Sequence, residues 1–310
     1  SPAYASRFQI VGGVDWPQNF RNIDPTSNAK VLYCGELPVP DPLLFLPTPV
    51  AGGGNGTTTA NGVVNALRGS AKATNQGYAI NDTSGVEPQN RVVSVFSDQY
   101  PDLFNGQPYL ALHPGIYTSI EITGGKVVLK PGIYVLRPFP NTQNALKITG
   151  GNVIAEGIMF YNTGHNYNPD NGEPDCNDRD KKPPAWDKTV DWDNAEFGSI
   201  TINAGMRFSP IDLERFDYQQ WGAVPNEAFN GMLFYQRRRN TTPIQIEGNA
   251  DAGQLSGTLY AKWAAVRIAG QGTYDAQFIV GSMEVTGSRV ITIDFAGKKM
   301  GKAPQVFLVE

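Results

Sequence analysis

The residues with the most chemical potential lie in one polar stretch. Asp170, Glu173, Asp175, Asp178, Asp180, Asp187, Asp191 and Asp193 fall within 24 residues. Calcium takes six to eight oxygens from flexible loops, so Asp170, Asp175, Asp178 and Asp180 are the candidate ligands for such an ion. Their spacing is not that of an EF-hand, which needs acids at alternate positions, a Gly at six and a Glu at twelve. A solvated acidic loop, balanced by Arg179, Lys181, Lys182 and Lys188, is the plainer reading. No cofactor is required by any motif, and calcium is the one candidate.

Four rings lie in or beside the same stretch: Tyr167, Trp186, Trp192 and Trp221. Exposed, they would form a surface for a partner or for stacking on sugar rings. Buried, they would pin a long excursion to the body of the protein, and this is the favoured reading. Arg237-Arg238-Arg239 follows a strand pattern. A turn with solvated charges is expected there rather than an anion site. His113 and His165 lack metal-ligand spacing, and neither a P-loop, a nucleophile elbow nor a dinucleotide fingerprint is present. Cys34 and Cys176 are the candidate disulfide, with two unpaired thiols as the alternative, since spacing does not report distance.

The elements that must position these residues follow from composition. Of 310 residues, 34 are Gly and 23 are Pro, and only 17% are charged, yet 40% are hydrophobic. Typical domains carry about 12% Gly plus Pro and about 25% charge. Low charge disfavours long exposed helices, and the apolar share disfavours wholesale disorder. The net charge of −4 leaves no basic footprint for nucleic acid. No run approaches the ~18 apolar residues of a membrane span. Ser1 opens no secretory signal, so the chain reads as a mature or trimmed product.

A repeat supplies the architecture. Pro114-Gly115-Ile116-Tyr117 recurs as Pro131-Gly132-Ile133-Tyr134, 17 residues later. Gly157 to Tyr161, Gly231 to Tyr235 and Gly257 to Tyr260 share its shape. A second unit, a short strand ending in Gly, recurs at Ile122, Ile148, Ile246, Ile268 and Val285. Short strands with glycine corners, repeated near every 20 residues, specify stacked coils that share one core. The expected fold is all-β: a single-stranded, right-handed parallel β-helix, or solenoid, with a long loop insertion. A jelly roll or other β-sandwich is the runner-up. Residues 1–109 read as an irregular region that caps the coils. Residues 110–310 read as the solenoid, interrupted at about 162–228. Within that interruption a strand is expected at 198–203 and a short helix over 208–221.

The run Leu112 to Tyr117, then Ile120 to Gly125, then Leu129 to Val135 resembles a β-solenoid domain of bacterial tight-adherence (Flp-type) pilus-assembly proteins. Gly157 to Gly164, Gly231 to Gln236 and Leu255 to Ala261 continue the likeness. The resemblance implies an extracellular or cell-surface bacterial protein with a structural or adhesive role in a pilus, filament or surface assembly. Its partners would be further copies of itself, other surface proteins, or glycans, while charge and hydropathy lead to the expectation of no nucleic acid and no membrane span in this chain. The alternative is a polysaccharide-active or carbohydrate-binding β-helix protein that uses the acidic insertion. The structural reading carries no catalytic residue; the alternative would need carboxylates converging on one face.

Overall fold

A computed structural model describes residues 3–5, 7–10, 12–37, 41–52, 60–75, 77–81, 92–93, 109–140, 142–172, 197–203, 205–250, 254–286 and 291–293. These residues form an all-β protein. Among the described residues, eighteen strands account for nearly all the regular structure, accompanied by three single-turn 3-10 helices. Almost every strand pairing is parallel. The exceptions are Leu67–Thr74 with Gly77–Asn81 and Val92–Val93 with Tyr109–Leu112.

The pairings form three parallel stacks. In the first, Gly132–Leu136 lies between residues 115–117 and Ile158–Asn162, and Met232–Gln236 and residues 258–260 follow. In the second, residues 71–73, 120–122 and 146–148 lead to Ser199–Asn203, Ile244–Ala250 and residues 266–272. In the third, Tyr109–Leu112 precedes residues 127–129, 153–155 and Arg207–Phe208. The long strands Gly115–Leu129, Asn144–Ala155 and Ser256–Thr286 each contribute to more than one stack. Ser199–Asn203 and Arg207–Phe208, which fall within 162–228, are members of these stacks. Parallel strand pairing therefore resumes well before residue 228.

The second stack also recruits the chain's beginning. Residues 272–274 pair with Ile291–Ile293, which pairs with Ala3–Ala5, which in turn pairs with Phe20–Asn22. At the opposite end, Leu67–Thr74 lies parallel against Gly115–Leu129.

Between the stacks runs a shared apolar interior. Ile120, Ile122, Leu146, Ile148, Ile200, Ile202, Ile244, Ile246, Val266 and Ile268 are essentially without solvent contact. From the first stack an aromatic column points into it. Tyr117 stacks on Tyr134 at 5.8 Å, Tyr134 meets Phe160 at 5.8 Å, and Phe160 stacks on Phe234 at 5.1 Å. The buried Tyr134 hydroxyl donates to the carbonyls of Leu112 and Lys130 at 2.8 and 2.7 Å. That satisfies a polar tip which would otherwise be costly in this interior.

The first stack is buried on its other side as well. Ile116, Ile133, Val135, Met159, Tyr161, Tyr235 and Tyr260 lie beneath Leu43, Leu46, Tyr167, Ile211, Tyr218 and Phe229. This explains why Gly132–Leu136, Ile158–Asn162 and Met232–Gln236 are buried at every position. A parallel strand covered on both faces needs a continuous apolar run rather than alternation.

Glycine is required at the corners. Gly157 has φ +70°, and a Cβ there would lie 2.6 Å from the Phe216 ring. Gly270 has φ +145°, and a Cβ would run into the carbonyl of Gly248 on the paired strand. The helix expected over 208–221 does not form. Ile211 instead donates its N–H to Met232 and accepts from Gly231, which keeps the chain extended along the stack. Asp212 and Asp217 turn the following residues through their own carboxylates, and a single 3-10 turn, Gln219–Trp221, is all that coils.

Candidate functional site

Two groups of largely buried charged residues stand out in the described chain. The first is where residues 41–50 cross the outer face of the first stack. Asp41 opens a turn in which its Oδ1 accepts from the N–H of Leu43 at 2.9 Å. Its Oδ2 accepts from the Tyr260 hydroxyl at 2.7 Å and lies 3.2 Å from Lys262 Nζ. The side chains of Asp41 and Lys262 are only 8% and 11% exposed, so this ion pair is largely screened from water.

Tyr260 stands at the end of a row of rings on successive strands. Tyr161 lies 5.0 Å from Tyr235, and Tyr235 lies 5.4 Å from Tyr260. Arg238 closes the row, 5.7 Å from both the Tyr235 and Tyr260 rings. It donates from Nη1 to the Tyr235 hydroxyl at 2.9 Å, and from Nη2 to the carbonyls of Leu43 and Leu46 at 2.7 and 2.9 Å. Burial works against the Arg238 charge, but Tyr235, Tyr260 and Asp41 more than restore it and hold its pKa above the ordinary value. Burial pushes the Tyr260 phenol far above its usual range, so it stays a proton donor to Asp41.

The arginine run is therefore not a solvated turn. Arg237, Arg238 and Arg239 are 3%, 7% and 7% exposed, which corrects the expectation from composition. Arg237 donates to Asn166 Oδ1 at 2.8 Å and lies over the Phe197 ring. Beside them Asn162 donates to Gln236 at 3.1 Å, and Gln236 donates to the carbonyls of Asn240 and Thr242. A corner that turns three guanidinium groups inward has carbonyls, amides and rings to receive them.

The second place is beside the third stack. Register pairs Leu112 with Leu129 and Leu129 with Ala155, so His113, Lys130 and Glu156 follow at successive levels. Lys130 Nζ lies 5.1 Å from the Trp221 ring and 5.9 Å from the Tyr109 ring. The His113 ring is 5.7 Å from Trp221, tilted by 60°. Arg68 donates from Nε and Nη2 to the Pro114 carbonyl at 3.3 and 3.0 Å. Burial, then the charges of Arg68 and Lys130, lower the His113 pKa to about 4. The imidazole is therefore neutral at pH 7.

Among the residues singled out from sequence, Tyr167 is 2% exposed and donates its hydroxyl to the Pro49 carbonyl at 2.8 Å. It pins residues 41–50 to the stack and offers no ring to a partner or glycan, which removes it from the candidate surface. Trp221 is half-buried against His113 and Lys130. Asp170 is half-buried and accompanies the Asn168–Gly172 bridge; its N–H donates to Asn168 Oδ1 at 2.8 Å. Among the described residues no three His, Cys, Asp or Glu side chains are grouped as a metal site would need. Cys34 is exposed. Asp175, Asp178, Asp180, Trp186, Trp192 and Cys176 lie outside the described residues.

Sequence reasoning did not find Asp41, Tyr235, Tyr260 and Lys262, nor the grouping of Arg68, Tyr109, His113 and Lys130. The recurrent Tyr at the end of each glycine-led strand was the available signal for the tyrosine row. No family model, no curated protein and no solved structure matches this chain. No helix among the described residues is long and apolar enough to cross a membrane.

Proposed function

We propose that this protein is a structural or adhesive β-solenoid. Its strands wind as a right-handed, single-stranded parallel β-helix, and the stiff body serves in a pilus, filament or other assembly at a bacterial surface. The observation that carries this reading is the continuity of the second parallel stack, from residues 71–73 through to Ile291–Ile293. Stacked coils sharing one core resist bending, because any bend must open backbone ladders and the packed interior together. The Asp41–Tyr260–Lys262–Arg238 cluster supports the same reading, since it spends its charge on fastening a covering segment to the coils.

The partners proposed are further copies of the chain or other surface proteins, and the resemblance to the pilus-assembly solenoid is part of the proposal. Imaging of native material by electron microscopy tests it. Filaments or ordered surface arrays labelled by an antibody to this chain are expected. Dispersed, unassembled protein that turns over acidic polysaccharide would overturn it.

A further inference from the structure

The surroundings of Asp41 hold more than an ion pair needs. Lys262 Nζ lies 3.2 Å from Asp41 Oδ2, and the two side chains are 11% and 8% exposed. The two carboxylate oxygens are engaged differently. Oδ1 accepts the N–H of Leu43 at 2.9 Å. Oδ2, the oxygen facing Lys262, accepts the Tyr260 hydroxyl at 2.7 Å. A carboxyl carbon attacked by an amine needs this division. One oxygen must be stabilised as negative charge develops on it, and the other must receive a proton so that it can leave as water. Burial holds the Tyr260 phenol far above its ordinary range, so the hydroxyl keeps its proton at pH 7. Arg238 donates to the Leu43 and Leu46 carbonyls and so holds in place the turn that presents Asp41.

We propose that Lys262 and Asp41 condense to an intramolecular isopeptide bond, which makes this a site of self-modification. First a proton passes from the Lys262 ammonium to Asp41 Oδ2. The neutral amine then attacks Cγ, and the negative charge of the tetrahedral intermediate gathers on Oδ1 beside the Leu43 N–H. Tyr260 donates its proton to Oδ2 and is restored by a proton from the attacking nitrogen. The Nζ–Cγ bond forms, the Cγ–Oδ2 bond breaks, and Oδ2 leaves as water. An ammonium and a carboxylate become an amide and water, so no oxidant, reductant or further reactant enters. The fold favours the step because it already holds the two groups together. Loss of both charges also relieves the desolvation that a buried ion pair carries. The bond ties the covering segment covalently to the strand Ser256–Thr286. The inference goes beyond the structural role proposed above and does not depend on it.

Mass spectrometry of the intact full chain, unfolded in acid, tests the proposal. A mass one water below that of the sequence is expected. A protease digest should then contain the peptide carrying Asp41 joined to the peptide carrying Lys262. Lys262→Met and Asp41→Ala should each show the full mass of their own sequence and no joined peptide. In pulse-labelled chain sampled over time, Tyr260→Phe keeps the ring but lacks the proton, and should form the bond at least about tenfold more slowly. Circular dichroism of that variant separates a slow reaction from an unfolded chain. A native chain at its full sequence mass refutes the bond, whether or not any variant folds. Water lost without the joined peptide refutes it equally. A folded Tyr260→Phe chain that bonds as fast as the native one would overturn the proton transfer through Tyr260.

Discussion

The hydroxyl of Tyr260 donates a 2.7 Å hydrogen bond to Asp41, a residue 219 positions earlier in the chain. One bond thereby joins the covering segment to the last strand of the first stack. The same carboxylate oxygen also faces Lys262. Tyr260 and Lys262 sit two residues apart on the strand Ser256–Thr286, so a strand's side-chain alternation turns both toward Asp41.

Asp41→Asn should destabilise the protein by about 2–4 kcal/mol, because it removes the negative member of a largely buried ion pair. Lys262→Met should cost less, because Asp41 keeps the Tyr260 hydroxyl and the Leu43 N–H as donors. Urea unfolding of both variants and of the double variant measures the coupling. Losses that simply add in the double variant would show that the pair does not act as a unit.

Arg238→Met should loosen residues 41–46 specifically. The variant keeps the apolar stem but strips the donors from the Leu43 and Leu46 carbonyls and the Tyr235 hydroxyl. The loss of three buried hydrogen bonds from one guanidinium puts the cost at about 2–4 kcal/mol. Hydrogen exchange should reveal it first at the Leu46 amide, which bonds to the Leu43 carbonyl. Unchanged exchange there would mean that Arg238 does not hold the segment.

What the sequence made legible was local. Pro114 to Tyr117 and Pro131 to Tyr134 announce corners and strands within a few residues of one another, and the parallel stacks follow from their repetition. Arg237 to Arg239 gave no such warning. A triplet of arginines reads alike whether solvated or buried, and its receptors at Leu43 and Leu46 are more than 190 residues away. Trp221 was legible as a ring that must pack or bind. Its neighbours His113 and Lys130 became visible only when register set parallel strands side by side. The expected helix over 208–221 failed for a related reason. Hydrogen bonds from Ile211 to the stack outweigh a weak local helical preference.

Gly270→Ala should be far more damaging than an ordinary corner substitution. The new Cβ meets the Gly248 carbonyl, which is backbone and cannot swing aside. Gly157→Ala meets only the Phe216 ring, which can move. Strain alone puts Gly157→Ala near 1–3 kcal/mol, and Gly270→Ala should exceed it or prevent folding. Thermal unfolding followed by circular dichroism orders the two. Equal losses would contradict the close approach of the two strands at Gly248.

Tyr134→Phe should cost about 1–3 kcal/mol although it removes a single oxygen. The phenol caps two buried carbonyls, Leu112 and Lys130, on neighbouring levels, and its loss leaves both without this donor. Phe160→Ala, two levels of the same column away from Tyr117, should cost about 3–5 kcal/mol through the cavity it leaves. Denaturant melts distinguish these. A neutral Tyr134→Phe would mean that water replaces the hydroxyl, and hence that the column is not dry.

Acid should weaken the fold partly through His113. The ring titrates at about 4 in the native protein, against about 6.5 in an unfolded chain. Between those values the unfolded chain binds the proton and the native chain does not. The contribution is therefore fully present above pH ~6.5 and is lost as the pH falls toward 4. After discount for screening at a half-buried ring, it is worth about 1–2 kcal/mol. His113→Gln should show a loss of stability between pH 7 and pH 4 that is smaller by that amount than the native chain's. Lys130→Met removes one of the repelling charges, so it should move the His113 titration upward. Burial, the larger cause, remains, and the ring should stay below its ordinary value. A His113 resonance that titrates at about 6.5, the ordinary value, in the native chain would remove both the acid sensitivity and the effect of the Arg68 and Lys130 charges on the ring.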